Sequence, residues 1–279
     1  MNWLTDHKLP VGAYAESVVD WLTGNLTAVF DAITAGLESF IDGILFVLER
    51  PHPLVIVAAF CLIAWASRRS VAIVAFTLFG LLLIINLGFW RETTQTLALV
   101  LAATTVSMLV GVPLGIAAAR REWFYAGLRP VLDLMQTIPT FVYLIPALIL
   151  FGLGVVPGLV ATVIFALPAP IRLTRLGIVS TPRQLVEAGD AFGATPLQRL
   201  FKVEIPYALP QIMAGLTQTI MLSLSMVVIA ALVGAPGLGV PVLRALNQIN
   251  VGMGFEAGLA IVLLAIILDR LFPGSEGTR

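Results

Sequence analysis

The stretch Leu134–Ile171 reads LMQTIPTFVYLIPALILFGLGVVPGLVATVIFALPAPI, 38 residues without a single charge. About twenty apolar residues cross a bilayer as a helix, so this run is too long for one span and long enough for two. Gly152, Gly154, Pro157 and Gly158 cluster near its middle and place a tight turn there, with one helix on either side. Composition agrees: of 279 residues, 59% are hydrophobic and 11% charged, with a mean hydropathy of +0.99, whereas soluble domains carry about 25% charged residues. So few charges cannot cover a water-facing surface. An ordinary soluble enzyme, a disordered chain and a nucleic-acid binder are excluded, and an integral membrane protein is implied. Cys61 is the only cysteine and His7 and His52 are far apart, so neither an intrachain disulfide nor a Cys/His metal site is expected.

Working outward, the other uncharged runs complete an all-α, polytopic membrane helix bundle. Pro51–Ser67, Val71–Trp90 and Thr93–Ala119 precede the central stretch, the first followed by Arg68-Arg69 and the third closed by Arg120-Arg121. Ile205–Leu243 follows, with one span inside Pro210–Val233 ended by Gly234-Ala235-Pro236-Gly237. Ala257–Leu268 is short alone, so the last span must take in Glu256 or Asp269 at an interface. The expectation is about seven spans. Arginine placement orients them, because cytoplasmic loops are rich in Lys and Arg. With the segment 172–204 inside, twelve basic residues are cytoplasmic and only Lys8, Arg50, Arg91 and Arg244 lie outside. The N-terminus is therefore expected outside and the C-terminus inside.

Residues 1–50 read as an extracytoplasmic acidic tail, with seven acidic residues against Lys8 and Arg50. They lack the basic start and continuous apolar core of a secretory signal. Asp20, Asp31, Glu38, Asp42 and Glu49 fall within about 20° of one line on a helix, and Leu22, Leu26, Val29, Ile33, Leu37, Phe40 and Ile44 occupy much of the other side. This is an amphipathic helix lying on the outer membrane face or against the bundle; a docking surface for an extracytoplasmic partner is the alternative.

The spans carry essentially no ionisable group at mid-depth, where an ion-coupled carrier commonly keeps its coupling charges. Thr104, Thr105, Ser107, Thr219, Ser223 and Ser225 suit backbone bonding or helix association. Gln136 and Gln218 are costlier to bury and are candidates for a translocation path, together with Tyr143. No HExxH, GxSxG or GxxxxGK[ST] pattern occurs, so catalysis by this chain is not expected and energy must enter from another subunit.

The segment 172–210 is where it would enter. Glu187-Ala188-Gly189 opens a short helix, small residues at 188, 189, 191, 193 and 194 permit close approach of another protein, and Gly193 permits a turn. Thr195-Pro196 starts a second helix, with threonine as N-cap and proline in the first turn. Glu187 and Asp190, with Arg199 and Lys202 beyond, offer charged contacts around the small-residue patch.

Glu187-Ala188-Gly189, then Gly193, then Val203, Ile205 and Pro206 resemble the EAA loop of ABC importer permeases, whose pattern is E-A-A, three residues, G, nine residues, I-x-L-P. Glycine replaces the second alanine, and valine and isoleucine replace isoleucine and leucine. The stretches 134–143, 191–196 and 218–230 narrow the resemblance to the binding-protein-dependent glycine betaine/proline/choline permeases, which are similar over most of the chain beyond residue 50.

That resemblance implies an ABC type-1 transmembrane domain over 93–272, two added spans over 51–92 and a short cytoplasmic tail at 273–279. It implies a bacterial inner-membrane permease, present as two copies, that receives a quaternary ammonium compound from an extracytoplasmic binding protein. Cytoplasmic ATPase subunits would hold ATP and Mg, leaving this chain with no cofactor and no enzymatic activity. The residues carried over to ATPase coupling are Glu187, Ala188, Gly189, Asp190, Gly193, Ala194, Val203, Ile205 and Pro206. Choline, glycine betaine and proline betaine stay open as substrates. A permease for another small solute, such as an amino acid, and an ion-coupled carrier are the alternatives.

Overall fold

A computed structural model describes residues 10–272; the expected tail 273–279, and the charges of Asp6, Lys8 and Arg279, lie outside the described residues. The chain is helical throughout its ordered elements. α1 (Val11–Glu49) is followed by a helical pair, α2 (Pro53–Arg68) and α3 (Val71–Asn86), then by α4 (Trp90–Arg120) and α5 (Glu122–Thr137). A short 3-10 turn (Thr140–Tyr143) leads into α6 (Leu144–Phe151), and α7 (Val155–Ala166) continues almost directly into α8 (Pro168–Val179). Beyond lie α9 (Arg183–Ala191), α10 (Pro196–Arg199), α11 (Ile205–Ala231), α12 (Gly239–Gln248) and α13 (Val251–Leu271).

α4, α8 and α11 form the centre, and glycines let them touch. A Cβ built on Gly115 of α4 would lie 2.7 Å from Thr174 Cβ and 2.8 Å from the Ile171 carbonyl oxygen of α8. One built on Gly177 of α8 would lie 2.9 Å from Ala208 Cβ of α11. Small residues at such crossings are the means by which membrane helices associate, since lipid offers no hydrophobic drive between them. α7 and α13 flank this centre. α13 buries Leu264, Ile267 and Leu268, and Ile267 faces Gly80 of α3, so the α2–α3 pair packs as an outer layer.

Four helical segments are long and apolar enough to cross a membrane: 90–120, 155–179, 196–231 and 251–271. Two bent pairs, α1 with α2 and α5 with the segment 140–151, bring the number to six if each counts as one span. α3 has 16 residues, about 24 Å of helix, against a hydrocarbon core of about 30 Å.

The central stretch meets its sequence reading at one end and departs from it at the other. The chain turns at Gly152 and Gly154, whose φ angles of 75° and 141° lie in the region that favours glycine, and Gly154 N–H donates to the Val233 carbonyl at 2.9 Å. Pro157 and Gly158, expected in that turn, lie inside α7. Before the turn there is no single helix from Leu134: α5 ends at Thr137 and the chain bends by 105° into residues 140–151. Pro139 is the cause. It drives Ile138 out of the helical region, to ψ 132°, as a following proline does. The last helix reaches beyond the apolar block and includes both Glu256 and Asp269.

α1 is helical with a non-helical Leu26 inside it, and Val29, Ile33 and Phe40 of the apolar side expected from the sequence are exposed on it. The five aligned acids are exposed, while Ile41 and Leu48 are buried against the bundle. Glu49 Oε1 accepts a hydrogen bond from Thr94 Oγ1 at 3.1 Å, fixing the end of α1 to the start of α4.

Candidate functional site

The segment between α8 and α11 is built from local signals. Pro182 precedes α9, and Arg183 pairs with Glu187 at 2.9 Å across one helical turn; both are exposed, so this pair contributes little. α9 closes with Gly193 at φ 75°. Gly193 N–H donates to the Asp190 carbonyl at 2.9 Å and Ala194 N–H to the Gly189 carbonyl at 3.1 Å, so a left-handed residue satisfies the last carbonyls of the helix. α10 begins with a full capping box: Gln198 N–H donates to Thr195 Oγ1, and Thr195 N–H donates to Gln198 Oε1. Thr195 and Pro196 take the roles their sequence order indicates. Leu200–Glu204 then forms a turn of π-helix that enters α11 without a break.

Glu187, Ala188 and Asp190 are exposed on α9, with Gly189 half-buried beside them. A Cβ at Gly189 would make only an ordinary 3.6 Å contact with Val203 Cγ2. The small side chain at 189 is therefore not demanded by the segment's own packing. Val203 and Ile205 are half-buried, Ala194 is half-buried and Pro206 is exposed in the first turn of α11. Leu200, with Ile178, Ala208 and Ile212, forms a small apolar cluster that seats the segment on the bundle.

Sequence reasoning passed over three residues here. Phe192 is 92% exposed at the tip of the α9–α10 turn, with Leu197 and Phe201 also exposed on the same segment. An exposed apolar group of this kind suits a surface covered by another protein or by the membrane. Glu204 is the second. It is 6% exposed, and its two oxygens accept from two arginines of different elements: Arg120 Nη2 at 2.8 Å and Arg199 Nε at 3.1 Å. Arg120, the last residue of α4, is the third. Arg199 also reaches Asp190 on α9 at 3.0 Å. The one signal available was that Glu204 is the only acid between Asp190 and Glu256, placed directly before an uncharged run.

The three path candidates do not share one surface. Gln136 Oε1 accepts from Arg172 Nη1 at 2.9 Å, and the same guanidinium holds Asp133 at 2.6 Å. Arg175 lies 3.7 Å from the centre of the Tyr125 ring. Together these contacts clamp α5 to α8. Tyr143 is nearly buried, and its hydroxyl donates toward the Met135 carbonyl at 2.6 Å and the Leu134 carbonyl at 3.2 Å, closing the corner at Pro139. Gln218 is exposed on α11, in line with Ser225 one heptad on.

The chain is similar to known proteins in sequence and in fold. Residues 111–273 match the model of the family described as "Binding-protein-dependent transport system inner membrane component". The glycine betaine transport system permease protein OpuAB of Bacillus subtilis is 50% identical over 95% of this chain and 93% of its own length. The glycine betaine/carnitine transport permease protein GbuB of Listeria monocytogenes is 47% identical over 94% of each. Among solved structures, an inward-facing form of the MetNI methionine ABC transporter superposes with a TM-score of 0.58 at 23% identity, over 63% of this chain and 88% of that one. At that identity the likeness is one of fold.

Proposed function

The chain belongs to the family of binding-protein-dependent transport system inner membrane components, and from that premise we propose that it is the permease subunit of an ATP-driven importer of glycine betaine or a closely similar quaternary ammonium compound. The observation that carries the substrate is the 50% identity, over nearly the full length of both chains, to a glycine betaine permease. Two copies would form the pathway, an extracytoplasmic binding protein would deliver the solute, and ATPase subunits on the inner side would supply the work, holding ATP and Mg themselves. The core domain spans 93–272 in this reading, a boundary in keeping with the family match over 111–273. Seven spans, with the N-terminus outside and the C-terminus inside the bacterial inner membrane, are part of the same proposal. Every ion pair among the described residues involves the end of α4, α5, α8 or the α9–α11 segment, which suits a charged cytoplasmic end.

The α9–α10 segment is the coupling element. Glu187, Ala188 and Gly189 present a small, flat face, Gly193 shapes the turn, and Phe192 projects as an anchor for a pocket on the ATPase. Asp190, Ala194, Val203, Ile205 and Pro206 hold that face to α11. Closure of an ATPase dimer would draw the two coupling segments together, and the helices joined to them would follow. Gln136, Gln218 and Tyr143 remain path candidates; the clamp on Gln136 and the bonded Tyr143 hydroxyl favour a role in shaping the path over contacting the solute.

The test is uptake into proteoliposomes containing this permease, its ATPase and its binding protein, with labelled glycine betaine and choline offered in parallel. ATP-dependent uptake of glycine betaine in preference to choline is expected. Uptake by this chain alone, driven by an ion gradient, refutes the mechanism.

A further inference from the structure

The carboxylate of Glu204 is shared by two guanidiniums, one from outside the coupling segment and one from within it. Arg120 comes from the end of α4, 84 residues away in sequence, and Arg199 from α10. Arg199 also takes both oxygens of Asp190 on α9 at 3.0 Å each. The contacts form one chain: α9, α10, the first residue before α11, and the end of α4. Glu204 itself sits on a π-turn, a rare backbone form frequent at functional sites. Just above it, α4 is locked to α8 at Gly115 and α8 to α11 at Gly177.

Covalent continuity alone would pass a displacement of α9 and α10 to α8 and α11, the helices at either end of the segment, and not to α4. Without the Arg120 arm, the end of α4 would meet the segment mainly through apolar side chains such as Ile116 and Ala119, which slide past one another. With it, a directional and charge-assisted contact at 2.8 Å joins the segment to α4, the third helix of the central unit. Resting on the importer reading above, we infer that Glu204 and Arg120 are positioning residues for the transport step: they transmit movement of the coupling segment to α4, so that α4, α8 and α11 turn as one body.

The experiment compares ATP hydrolysed with solute imported, in proteoliposomes of the full complex containing parent, E204Q, R120Q or R120K permease, with copurification of the ATPase as the check on assembly. In E204Q and R120Q the ATPase is expected to copurify and to hydrolyse ATP within twofold of the parent, while solute imported per ATP falls at least fivefold. R120K, which restores a charge able to reach Oε2, should recover at least half of the parent ratio. A merely structural role would lower assembly or hydrolysis and leave the ratio unchanged. Unchanged ratios in both glutamine variants, or an R120K ratio as low as that of R120Q, overturn the inference while leaving the importer reading standing. Should E204Q fail to assemble, R120Q alone decides, because it leaves Glu204 paired with Arg199. A parent complex without ATP-driven import refutes the importer reading itself.

Discussion

Replacing Gly115 by alanine tests the central packing directly. The added Cβ would stand 2.7 Å from Thr174 Cβ, 2.8 Å from the Ile171 carbonyl oxygen and 3.0 Å from Thr174 Cγ2, short of an ordinary 3.4 Å contact by about 0.6–0.7 Å at the two nearest atoms. Two of those neighbours belong to backbone or to a Cβ, so no side-chain rotation relieves them. α8 is also pinned on the same face by Pro170, whose ring carbons would lie 2.6 and 3.0 Å from a Cβ on Gly111. The helices must separate, and overpacking of this kind costs about 1–3 kcal/mol. At the low end that is about a fivefold change in the folded/unfolded ratio. The assay is the unfolding midpoint of the purified permease in mixed micelles, with Gly36→Ala as control. Gly36 meets nothing within 4 Å and lies in α1, where alanine is favoured over glycine by about 0.5–1 kcal/mol. The control should be neutral or stabilised, and Gly115→Ala destabilised. Adding Thr174→Ala removes Cγ2 but leaves its Cβ and the Ile171 carbonyl in place, so it must not restore stability. Parity between Gly115→Ala and the control, or full rescue by Thr174→Ala, refutes the close α4–α8 crossing.

Three further outcomes follow from the geometry. Gly193 has open space around it but a φ of 75°, so a leucine adds about 1–2 kcal/mol of backbone strain and bulk at the coupling face. Gly193→Leu should insert in the membrane yet abolish uptake, and Gly193→Asn, which tolerates that conformation, should keep measurably more; equal loss in both would show that the backbone angle is irrelevant. Phe192→Ala removes an almost fully exposed ring and should leave the unfolding midpoint within about 0.5 kcal/mol of the parent, while ATPase recovered by pull-down falls about tenfold. Undiminished recovery would remove Phe192 from the docking surface. Tyr143→Phe deletes the single donor shared by the Met135 and Leu134 carbonyls, a bond worth about 0.5–1.5 kcal/mol; stability should drop with the KM for solute unchanged, and a raised KM at unchanged stability would put Tyr143 in the path instead.

What could be read from the sequence was whatever a single segment encodes. The Gly152–Gly154 turn, the Thr195-Pro196 helix start and the Gly193 turn each depend on residues within a few positions, and each is where those residues place it. The bend after Thr137 was also encoded locally, by Ile138-Pro139. It is hidden because the apolar run continues across it, and hydropathy does not register a change of direction. α5 escaped because its Glu122, Arg129 and Asp133 break any apolar window, and Leu132 is the one residue it buries. α12 is ten residues long, carries Arg244 and sits among Gly and Pro, too short and mixed for periodicity to show. The pairing of Arg120 with Glu204 belongs to another class. Its partners are 84 residues apart, and only the antiparallel approach of the end of α4 to the start of α11 creates it.

That pairing also explains why a charge is kept at a buried position at all. Burying a carboxylate costs several kcal/mol, and replacing a buried ion pair by apolar side chains is often neutral or stabilising. Glu204 therefore does not follow from a need for stability. Apolar side chains at 120, 199 and 204 together could extend the neighbouring cluster of Leu200, Ala208 and Ile212, whereas a leucine at 204 alone would leave two guanidiniums without their carboxylate. What an apolar contact cannot provide is direction: it tolerates sliding, whereas one carboxylate holding two guanidiniums fixes the register of three elements. The glycine crossings do the same within the bundle by geometry, since α4 and α8, or α8 and α11, approach so closely that neither can shift without backbone collision. Charge secures the exposed end and close packing the apolar interior, each by the means its dielectric surroundings permit. A push applied at α9 thus reaches three helices together.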